Sequence, residues 1–305
     1  TDLAILSGQY VDMIKNRIDE LRPLHVNLNV GYEYDNNVLL KPSDQAIAGA
    51  ITGQGDSRAV ALFQVEYQPK TEGSVKIKMQ YSLFRSEYED IDTHNVTSHT
   101  AALVPSYKVE NGVLELLLSY NYTWVDDYEY LRTFTASPGV TFLMQPGFLG
   151  QLGAMYQKKE FIRPALMLTE DRDARNYAAY IGWIKLFSKQ KAFLRARYTL
   201  NRELSKGNNW SYTGHKLGAS ASAPLYKELR MSVAGELFYQ RHDGWNTNFG
   251  VKRQDLVWTG NVGLSYELYR KLDLLFKYTY TRGDSTIALY DYEKNVTGLS
   301  INFKF

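Results

Sequence analysis

The chain has 305 residues, 35 basic and 33 acidic side chains and no cysteine, and 14% of its residues are aromatic. The near-neutral charge gives no reason to expect nucleic acid as a partner. The lack of cysteine excludes disulfides, thiolate metal sites and cysteine nucleophiles. No window approaches 18 consecutive apolar residues, which excludes an α-helical membrane span. If this polar but aromatic chain lies in a membrane, it must therefore form a closed β-barrel.

Residues 1–24 are predicted to form a short amphipathic helix, because apolar residues recur there at intervals of three and four. The apolar positions are Leu6, Tyr10, Met13, Ile14, Ile18 and Leu21. Pro23 is expected to end the helix. Such a helix would lie in the periplasm, plug the lumen, or continue a periplasmic domain.

Residues 25–305 are predicted to form a transmembrane antiparallel up-and-down β-barrel, since the apolar period becomes two and stays so to the end of the chain. In the last strand, for example, Leu299, Ile301, Phe303 and Phe305 alternate with polar or small residues. The fold class is thus all-β, with about 14 strands behind an N-terminal helix. The predicted strands lie near 25–34, 57–69, 74–86, 96–107, 113–125, 132–144, 149–161, 175–186, 191–203, 214–225, 229–242, 255–268, 272–281 and 294–305.

The connections between these strands are expected to alternate between two length classes, short and long. Outer-membrane barrels have short periplasmic turns and longer external loops, and an even strand count returns both termini to the periplasm. Residues 70–73 and 109–112 would be short turns, whereas residues 35–56 and 126–131 would belong to the longer class. Aromatic residues near strand ends fit the headgroup level of a membrane. The predicted location is the bacterial outer membrane, with lipid and lipopolysaccharide as surroundings.

The C-terminal strand has the pattern of an assembly signal. Apolar or aromatic side chains stand at Ile301, Phe303 and Phe305, and the phenylalanine is the terminal residue. This arrangement resembles the C-terminal signature that outer-membrane barrels present to their assembly machinery. The resemblance implies the barrel assembly machinery as a partner.

The polar face of the strands is predicted to line a water-filled lumen, because side chains alone do not fill a barrel of this size. The candidate lumen-lining residues are Lys76, Lys78, Glu115, Arg195, Arg197, Arg230, Glu236 and Lys277. Lys76, Lys78, Arg195 and Arg197 are the candidates for a weak anion preference, since rings of like charge tune pore selectivity. The alternative for each residue is that it only solvates the lumen or pairs with a neighbouring strand.

No catalytic or metal site is predicted. None of the five histidines has the spacing of a nucleophile and base pair, and the acidic loop clusters match no EF-hand pattern. There is no glycine-rich phosphate loop before a helix. We therefore expect a protein that is not an enzyme and has no cofactor.

Residues 28–38, Leu-Asn-Val-Gly-Tyr-Glu-Tyr-Asp-Asn-Asn-Val, form the first strand and its exit. They resemble the opening of barrels found behind tetratricopeptide regions, notably the surface lipoprotein assembly modifier family. That resemblance implies a 14-strand barrel that carries cargo across the outer membrane. The favoured hypothesis is a conduit for export of a polymer or protein, with periplasmic export partners. The amphipathic helix within residues 1–24 also favours it, because a simple porin has no need for such a helix. The alternatives are a passive porin for small hydrophilic solutes and a structural or adhesive barrel that acts through its external loops.

Overall fold

A computed structural model of the protein describes residues 22–43, 55–187 and 191–305. It shows fourteen antiparallel strands in a single closed barrel. The strands are β1 (Leu24–Asp35), β2 (Asp56–Tyr67), β3 (Val75–Tyr88), β4 (Val96–Val109), β5 (Gly112–Val125), β6 (Tyr128–Gln145), β7 (Phe148–Phe161), β8 (Ala174–Phe187), β9 (Ala192–Ser205), β10 (Tyr212–Tyr226), β11 (Leu229–Trp245), β12 (Lys252–Tyr269), β13 (Leu272–Ser285) and β14 (Tyr292–Lys304).

Each strand pairs with its neighbours in sequence, and the last strand closes the barrel on the first. At this seam Leu28 lies opposite Phe303, and Asp35 lies opposite Val296. Closure leaves no strand edge with unpaired backbone groups, which a hydrocarbon environment does not tolerate. The predicted number of strands and their up-and-down order are therefore confirmed.

The predicted N-terminal helix is the part of the fold class that needs correction. The residues that the structure describes contain no α-helix, only short 3₁₀ turns at Asp92–His94, Leu168–Glu170 and Ala288–Tyr290. Residues 1–21, which include the apolar positions of that helix, lie outside the described residues. The last residue assigned to the helix, Leu24, already belongs to β1, where it pairs with Tyr67. None of the described helical segments is long and apolar enough to span a membrane.

The expected division of the connections into two strict length classes was also wrong. The connection predicted at residues 126–131 is a turn of two residues, because β6 begins at Tyr128. Asp126 and Asp127 have φ angles of 51° and 57°. A two-residue hairpin turn with positive φ at both positions matches the twist of the strands, and Asp tolerates this conformation better than most residues.

The two ends of the barrel are named here by the connections that they hold. The described residues of the connections at the external rim are 36–43, 55, 89–95, 126–127, 162–173, 206–211, 246–251 and 286–291. Those at the periplasmic rim are 68–74, 110–111, 146–147, 191, 227–228 and 270–271, together with the start of β1 and the end of β14. The longest connections lie on the external rim, which is typical of outer-membrane barrels.

The outer face of the barrel is apolar and aromatic. Tyr32 and Tyr34 are 50% and 53% exposed near the external rim, while Tyr226 and Tyr269 are 67% and 74% exposed near the periplasmic rim. Rings with a polar end favour the headgroup level of a membrane. The two groups therefore mark the boundaries of the apolar band.

Candidate functional site: the barrel lumen

Alternation along the paired strands directs a polar set of side chains into the lumen. On β9, for example, Arg195 and Arg197 lie on the inner face, whereas Leu194 and Tyr198 face outward and are 36% and 40% exposed. Because the period of a strand is two, each pairing fixes which residues of the next strand share the inner face. The sequence prediction for the lumen can therefore be compared residue by residue with the register.

Five of the eight predicted lumen residues line one central cavity of about 640 Å³. These residues are Lys78, Glu115, Arg195, Arg197 and Glu236. The other three lie elsewhere. Lys76 is two residues before Lys78 and lies opposite Ser106, and Lys277 lines a separate cavity of about 520 Å³. Arg230 donates to Ser222 Oγ and to the backbone oxygen of Lys191. The proposed cluster of Lys76, Lys78, Arg195 and Arg197 is thus only partly assembled at the cavity.

Several charged lumen residues are paired across neighbouring strands. Lys216 Nζ lies 3.0 Å from Glu236 Oε1 in the central cavity, and Lys78 Nζ lies 3.7 Å from Glu66 Oε2. In the part of the chain that the structure describes, Arg195 and Arg197 have no carboxylate within ion-pairing distance. Glu115 is the cavity carboxylate that likewise lacks a basic partner among the described residues. The unpaired charge of the cavity is therefore positive.

A packing arrangement that the sequence analysis missed holds Arg197 in place. The guanidinium carbon lies 4.2 Å from the ring centroid of Tyr180, and Nη2 donates to Gln151 Oε1 at 3.2 Å. The Tyr180 ring lies against Gly153 and Gly139, where an added Cβ would be 2.3 Å and 2.5 Å from the phenol oxygen. Only glycine leaves room for the ring at these positions. Cation-π contact and hydrogen bonding together fix the guanidinium.

A buried ion pair lies at the external end of the seam between β1 and β14. Asp35 is fully buried, and its Oδ2 lies 2.6 Å from Lys294 Nζ. The same oxygen accepts a hydrogen bond from Tyr88 Oη at 3.0 Å, while Oδ1 accepts from the backbone N–H of Asn37. The carboxylate is thus held by three donors from three parts of the chain.

An external loop cluster, formed by Glu170, Arg172, Trp210, Arg253 and Tyr290, joins four connections of the external rim or their adjoining strand ends. Arg253 lies 3.4 Å from the Tyr290 ring centroid and 5.3 Å from that of Trp210. Arg172 lies over the other side of the cluster, 4.9 Å from the Trp210 centroid. Burial raises the pKa of the Tyr290 phenol. Two neutral rings and two cations therefore pack in alternation, in the order Arg172, Trp210, Arg253 and Tyr290.

Glu170 is the hydrogen-bonding centre of this cluster. Its carboxylate accepts from Trp210 Nε1 at 2.8 Å, from Asn248 Nδ2 at 2.8 Å and from Asn209 Nδ2 at 2.5 Å. These donors come from the connections at 206–211 and 246–251, so one side chain ties three loops together. Hydrogen bonds to a charged acceptor are stronger than neutral ones.

The three residues of the predicted assembly signal are placed on the outer face at the seam. Ile301 lies opposite Val30, Phe303 lies opposite Leu28, and the backbone N–H of Phe305 donates to the oxygen of Val26 at 2.8 Å. Ile301 and Phe305 are 40% and 60% exposed. Their role as a signal remains a prediction.

Replacing Phe305 with serine is expected to reduce the amount of folded barrel in the outer membrane of cells while hardly changing its refolding into detergent micelles. The side chain is largely exposed, and substitution of such residues usually changes stability by about 0.5 kcal/mol or less. Heat-modifiable mobility on gels measures both quantities. Tyr269→Ser, at an exposed aromatic residue of the same rim, is the control, and an equal loss in cells for both variants would contradict a specific signal.

The described residues include no group of three or more histidine, aspartate and glutamate side chains arranged to hold a metal ion. His242 and Asp255 are close, with Nε2 and Oδ2 3.5 Å apart. His242 Nδ1 is 3.0 Å from the backbone oxygen of Asn209. This pair supports the external rim. Ser285 Oγ donates to Asp255 Oδ1 at 2.7 Å, so the serine next to the pair bonds the carboxylate and is not activated by the histidine.

Comparison with known proteins finds one matching family. Residues 131–305 match the family described as Putative beta-barrel porin 2. No curated protein matches the sequence. The stretch at residues 28–38, which resembles the surface lipoprotein assembly modifier family, lies outside the matched segment, so membership of that family is not confirmed.

Solved structures of outer-membrane proteins share the fold at low identity. A loop-deletion mutant of OmpT from Vibrio cholerae is 8% identical with a TM-score of 0.51, covering 92% of this chain and 98% of its own. OccAB3 from Acinetobacter baumannii is 8% identical with a TM-score of 0.50, covering 92% and 99%. An anion-selective porin from Comamonas acidovorans is 11% identical with a TM-score of 0.50, covering 92% and 98%.

The family match covers more than half of the chain and includes every strand from β7 to β14. The closed barrel, its aromatic outer face and its charged lumen agree with that match. The predicted location in the bacterial outer membrane is confirmed. The chain belongs to the Putative beta-barrel porin 2 family.

Proposed function

We propose that the protein is a passive porin through which small hydrophilic solutes, anions in preference to cations, cross the outer membrane. The observation that supports this most directly is the central cavity of about 640 Å³, which is lined by charged and polar side chains from both sides of the lumen. Such a surface is hydrated and favours polar solutes over lipid. The proposal includes no catalytic step.

The preference for anions follows from the charges that remain unpaired. Arg195 and Arg197 face the cavity without a carboxylate partner among the described residues, whereas the charges of Lys216 and Glu236 offset each other. Unpaired cations in a narrow lumen produce a positive potential that attracts anions. One structural neighbour is an anion-selective porin. A shared fold does not determine ion selectivity, however, so the proposed anion preference depends on the residues of this chain.

A porin explains these features with fewer components than the export conduit favoured by the sequence analysis. The argument for export depended on an amphipathic helix within residues 1–24 and on a local family resemblance. Most of that segment lies outside the described residues, and the family match is to porins. A cavity with charged walls serves diffusion of small solutes without periplasmic partners.

The reversal potential of the protein in a planar bilayer, under a potassium chloride gradient, is expected to show anion selectivity. Replacing Arg195 and Arg197 together with glutamine should lower the chloride-to-potassium permeability ratio by at least about fivefold, since even one unit charge 4 Å from an ion in water contributes about 1 kcal/mol. Glu115→Gln should raise the ratio. The shift should shrink as salt concentration rises, because mobile ions screen exposed charges.

The control is Arg282→Gln, which removes a cation from the outer face of β13 where it pairs with Asp284 and Glu293. This variant should keep the wild-type ratio. Cation selectivity of the wild-type channel would contradict the assigned anion preference. Absence of any conductance from correctly refolded protein would overturn the porin proposal and favour a structural or adhesive barrel.

A further inference from the structure

The inner face of β9 presents a row of polar side chains to the central cavity. Arg195, Arg197, Thr199 and Asn201 are alternate residues of this strand, and all four line the cavity. The row is called the β9 row below. At about 3.3 Å per residue, it extends about 20 Å along the lumen wall. A solute that passes through the cavity meets these four side chains in succession.

Two nitrogen donors in the β9 row are buried and have no acceptor. Asn201 is only 7% exposed, and its Nδ2 has no hydrogen-bond partner among the described residues. Arg197 Nε is likewise buried without an acceptor. A buried donor without a partner destabilises the structure, because its hydrogen bond to water is lost and not replaced. Solvent reaches neither donor, so a ligand that brings oxygen acceptors to the row would remove this cost at Asn201 by turning its amide into the cavity.

The positive charge of the β9 row determines which kind of hydrogen-bond acceptor a ligand should bring. Arg195 and Arg197 lie two residues apart on the same face, so their positive charges repel each other. Neither has a carboxylate partner in the part of the chain described. An anionic group between them would relieve the repulsion as well as accept hydrogen bonds. The planar guanidinium suits an oxyanion with two equivalent oxygens.

Arg197 is also fixed in advance of binding. Its contacts with Tyr180 and Gln151 restrict the guanidinium, and the Tyr180 ring is in turn restricted by Gly153 and Gly139. A side chain that is already ordered loses less conformational entropy when a ligand binds. The row therefore has the properties of a preformed binding site and differs from a freely solvated charge.

We propose that Arg195, Arg197 and Asn201 form a binding subsite for the oxyanion group, carboxylate or phosphate, of a small hydroxylated solute. This inference rests on the proposed porin function, and it adds a saturable site to a path that diffusion alone would not require. Arg195 and Arg197 bind the anionic group, while Asn201 and the Thr199 hydroxyl contact the hydroxyl groups of the solute. The site is specific for charge and hydrogen bonding and makes no covalent bond.

Calorimetric titration of the refolded barrel in detergent tests the subsite without requiring ion conduction. The probes are gluconate, inorganic phosphate and glucose. Saturable binding of gluconate or phosphate, but not of glucose, is the expected result, and the tighter of the two anions identifies the oxyanion. Absence of saturable binding for both anions would overturn the subsite, and a conducting, anion-selective channel in that case would leave the porin proposal intact.

Two pairs of variants distinguish binding at a specific site from a general effect of positive charge in the lumen. Arg197→Lys keeps the charge but loses the planar donor pair, so binding of the preferred anion should weaken about tenfold, which corresponds to the 1.4 kcal/mol of a weakened charge-assisted hydrogen bond. Arg230→Lys, at the periplasmic rim, should bind as the wild type does. Equal weakening by both variants would contradict a site at Arg197.

Gly153→Ala tests the positioning of Arg197 by Tyr180. The new Cβ would lie 2.3 Å from the phenol ring, so Tyr180 must move and the guanidinium loses its support. Binding should weaken about as much as in Arg197→Lys. Gly260→Ala is the matched control, because no atom lies within 4 Å of the added Cβ at that strand glycine. Wild-type affinity in a folded Gly153→Ala barrel would show that Arg197 needs no such support.

Discussion

Replacing Lys294 with methionine is expected to lower the free energy of unfolding of the barrel by about 3–5 kcal/mol, because it leaves a buried charge without its partner. Asp35 is fully buried, and Lys294 Nζ is the only cationic group that the described residues place within 4 Å of its carboxylate. The remaining donors, Tyr88 Oη and a backbone N–H, do not neutralise it. Urea titration of protein refolded into phospholipid vesicles measures the loss.

The matched control is Lys304→Met. Lys304 lies on the same strand and pairs with Asp273, but its side chain is 54% exposed. Exposed ion pairs contribute about 0–1 kcal/mol, so this variant should lose little stability. The double variant Asp35→Asn with Lys294→Met removes both charges and should recover part of the loss. Equal losses of stability in Lys294→Met and Lys304→Met would contradict the claim that burial of Asp35 makes its ion pair with Lys294 important for stability.

Replacing Glu170 with alanine is expected to open the external loop cluster and to raise the rate of tryptic cleavage after Arg172 by about 10–100-fold. The substitution removes an acceptor that Trp210, Asn209 and Asn248 share. Hydrogen bonds to charged groups contribute about 1.5–3 kcal/mol each, and partial solvent exposure reduces their sum to roughly 1.4–2.8 kcal/mol. Cleavage of a locally open state follows that free energy.

Glu160→Ala is the control for this prediction. Glu160 stands near the external end of β7 and pairs with Lys158 in a position that is about half exposed. Its removal changes the net charge by the same amount without releasing a loop. Cleavage after Arg172 should then proceed at the wild-type rate. An unchanged rate in Glu170→Ala would show that the aromatic and arginine contacts hold the loops without the carboxylate.

The strands could be predicted from the sequence because a strand with one apolar face has an apolar residue at every second position. In β14 the apolar residues Leu299, Ile301 and Phe303 mark the outer face by themselves, and no knowledge of the neighbouring strand is needed. The same alternation assigns a face to each charged residue. For this reason the strand count was predicted more accurately than the connections.

The contacts across and along the lumen could not be predicted, because they depend on register and closure. The sequence groups Lys76 with Lys78 by spacing alone, yet only Lys78 lines the central cavity. The packing of Tyr180 against Gly153 needs the pairing of β7 with β8, in which Gly153 lies directly opposite Tyr180. A glycine on the inner face of a strand is the one signal in the sequence that points to it.

The turn at Asp126 and Asp127 escaped prediction for a different reason. The sequence that follows, Tyr128-Glu129-Tyr130-Leu131-Arg132, lacks a clean alternation and therefore predicts a long connection. The structure instead continues β6 back to Tyr128 with an irregularity in its pairing beside Thr123. Local bulges of this kind interrupt the period without ending the strand.

The short connections of the middle strands have a consequence for the order of folding. Turns of two residues at 110–111, 126–127 and 146–147 join β4, β5, β6 and β7 into an unbroken meander. The entropy lost in closing a loop rises with its length, and contacts that are near in sequence form fastest. The pairing of β1 with β14 instead joins residues about 270 positions apart. Folding of the barrel should therefore begin at this meander, and the pairing of β1 with β14 should form in the last and slowest step.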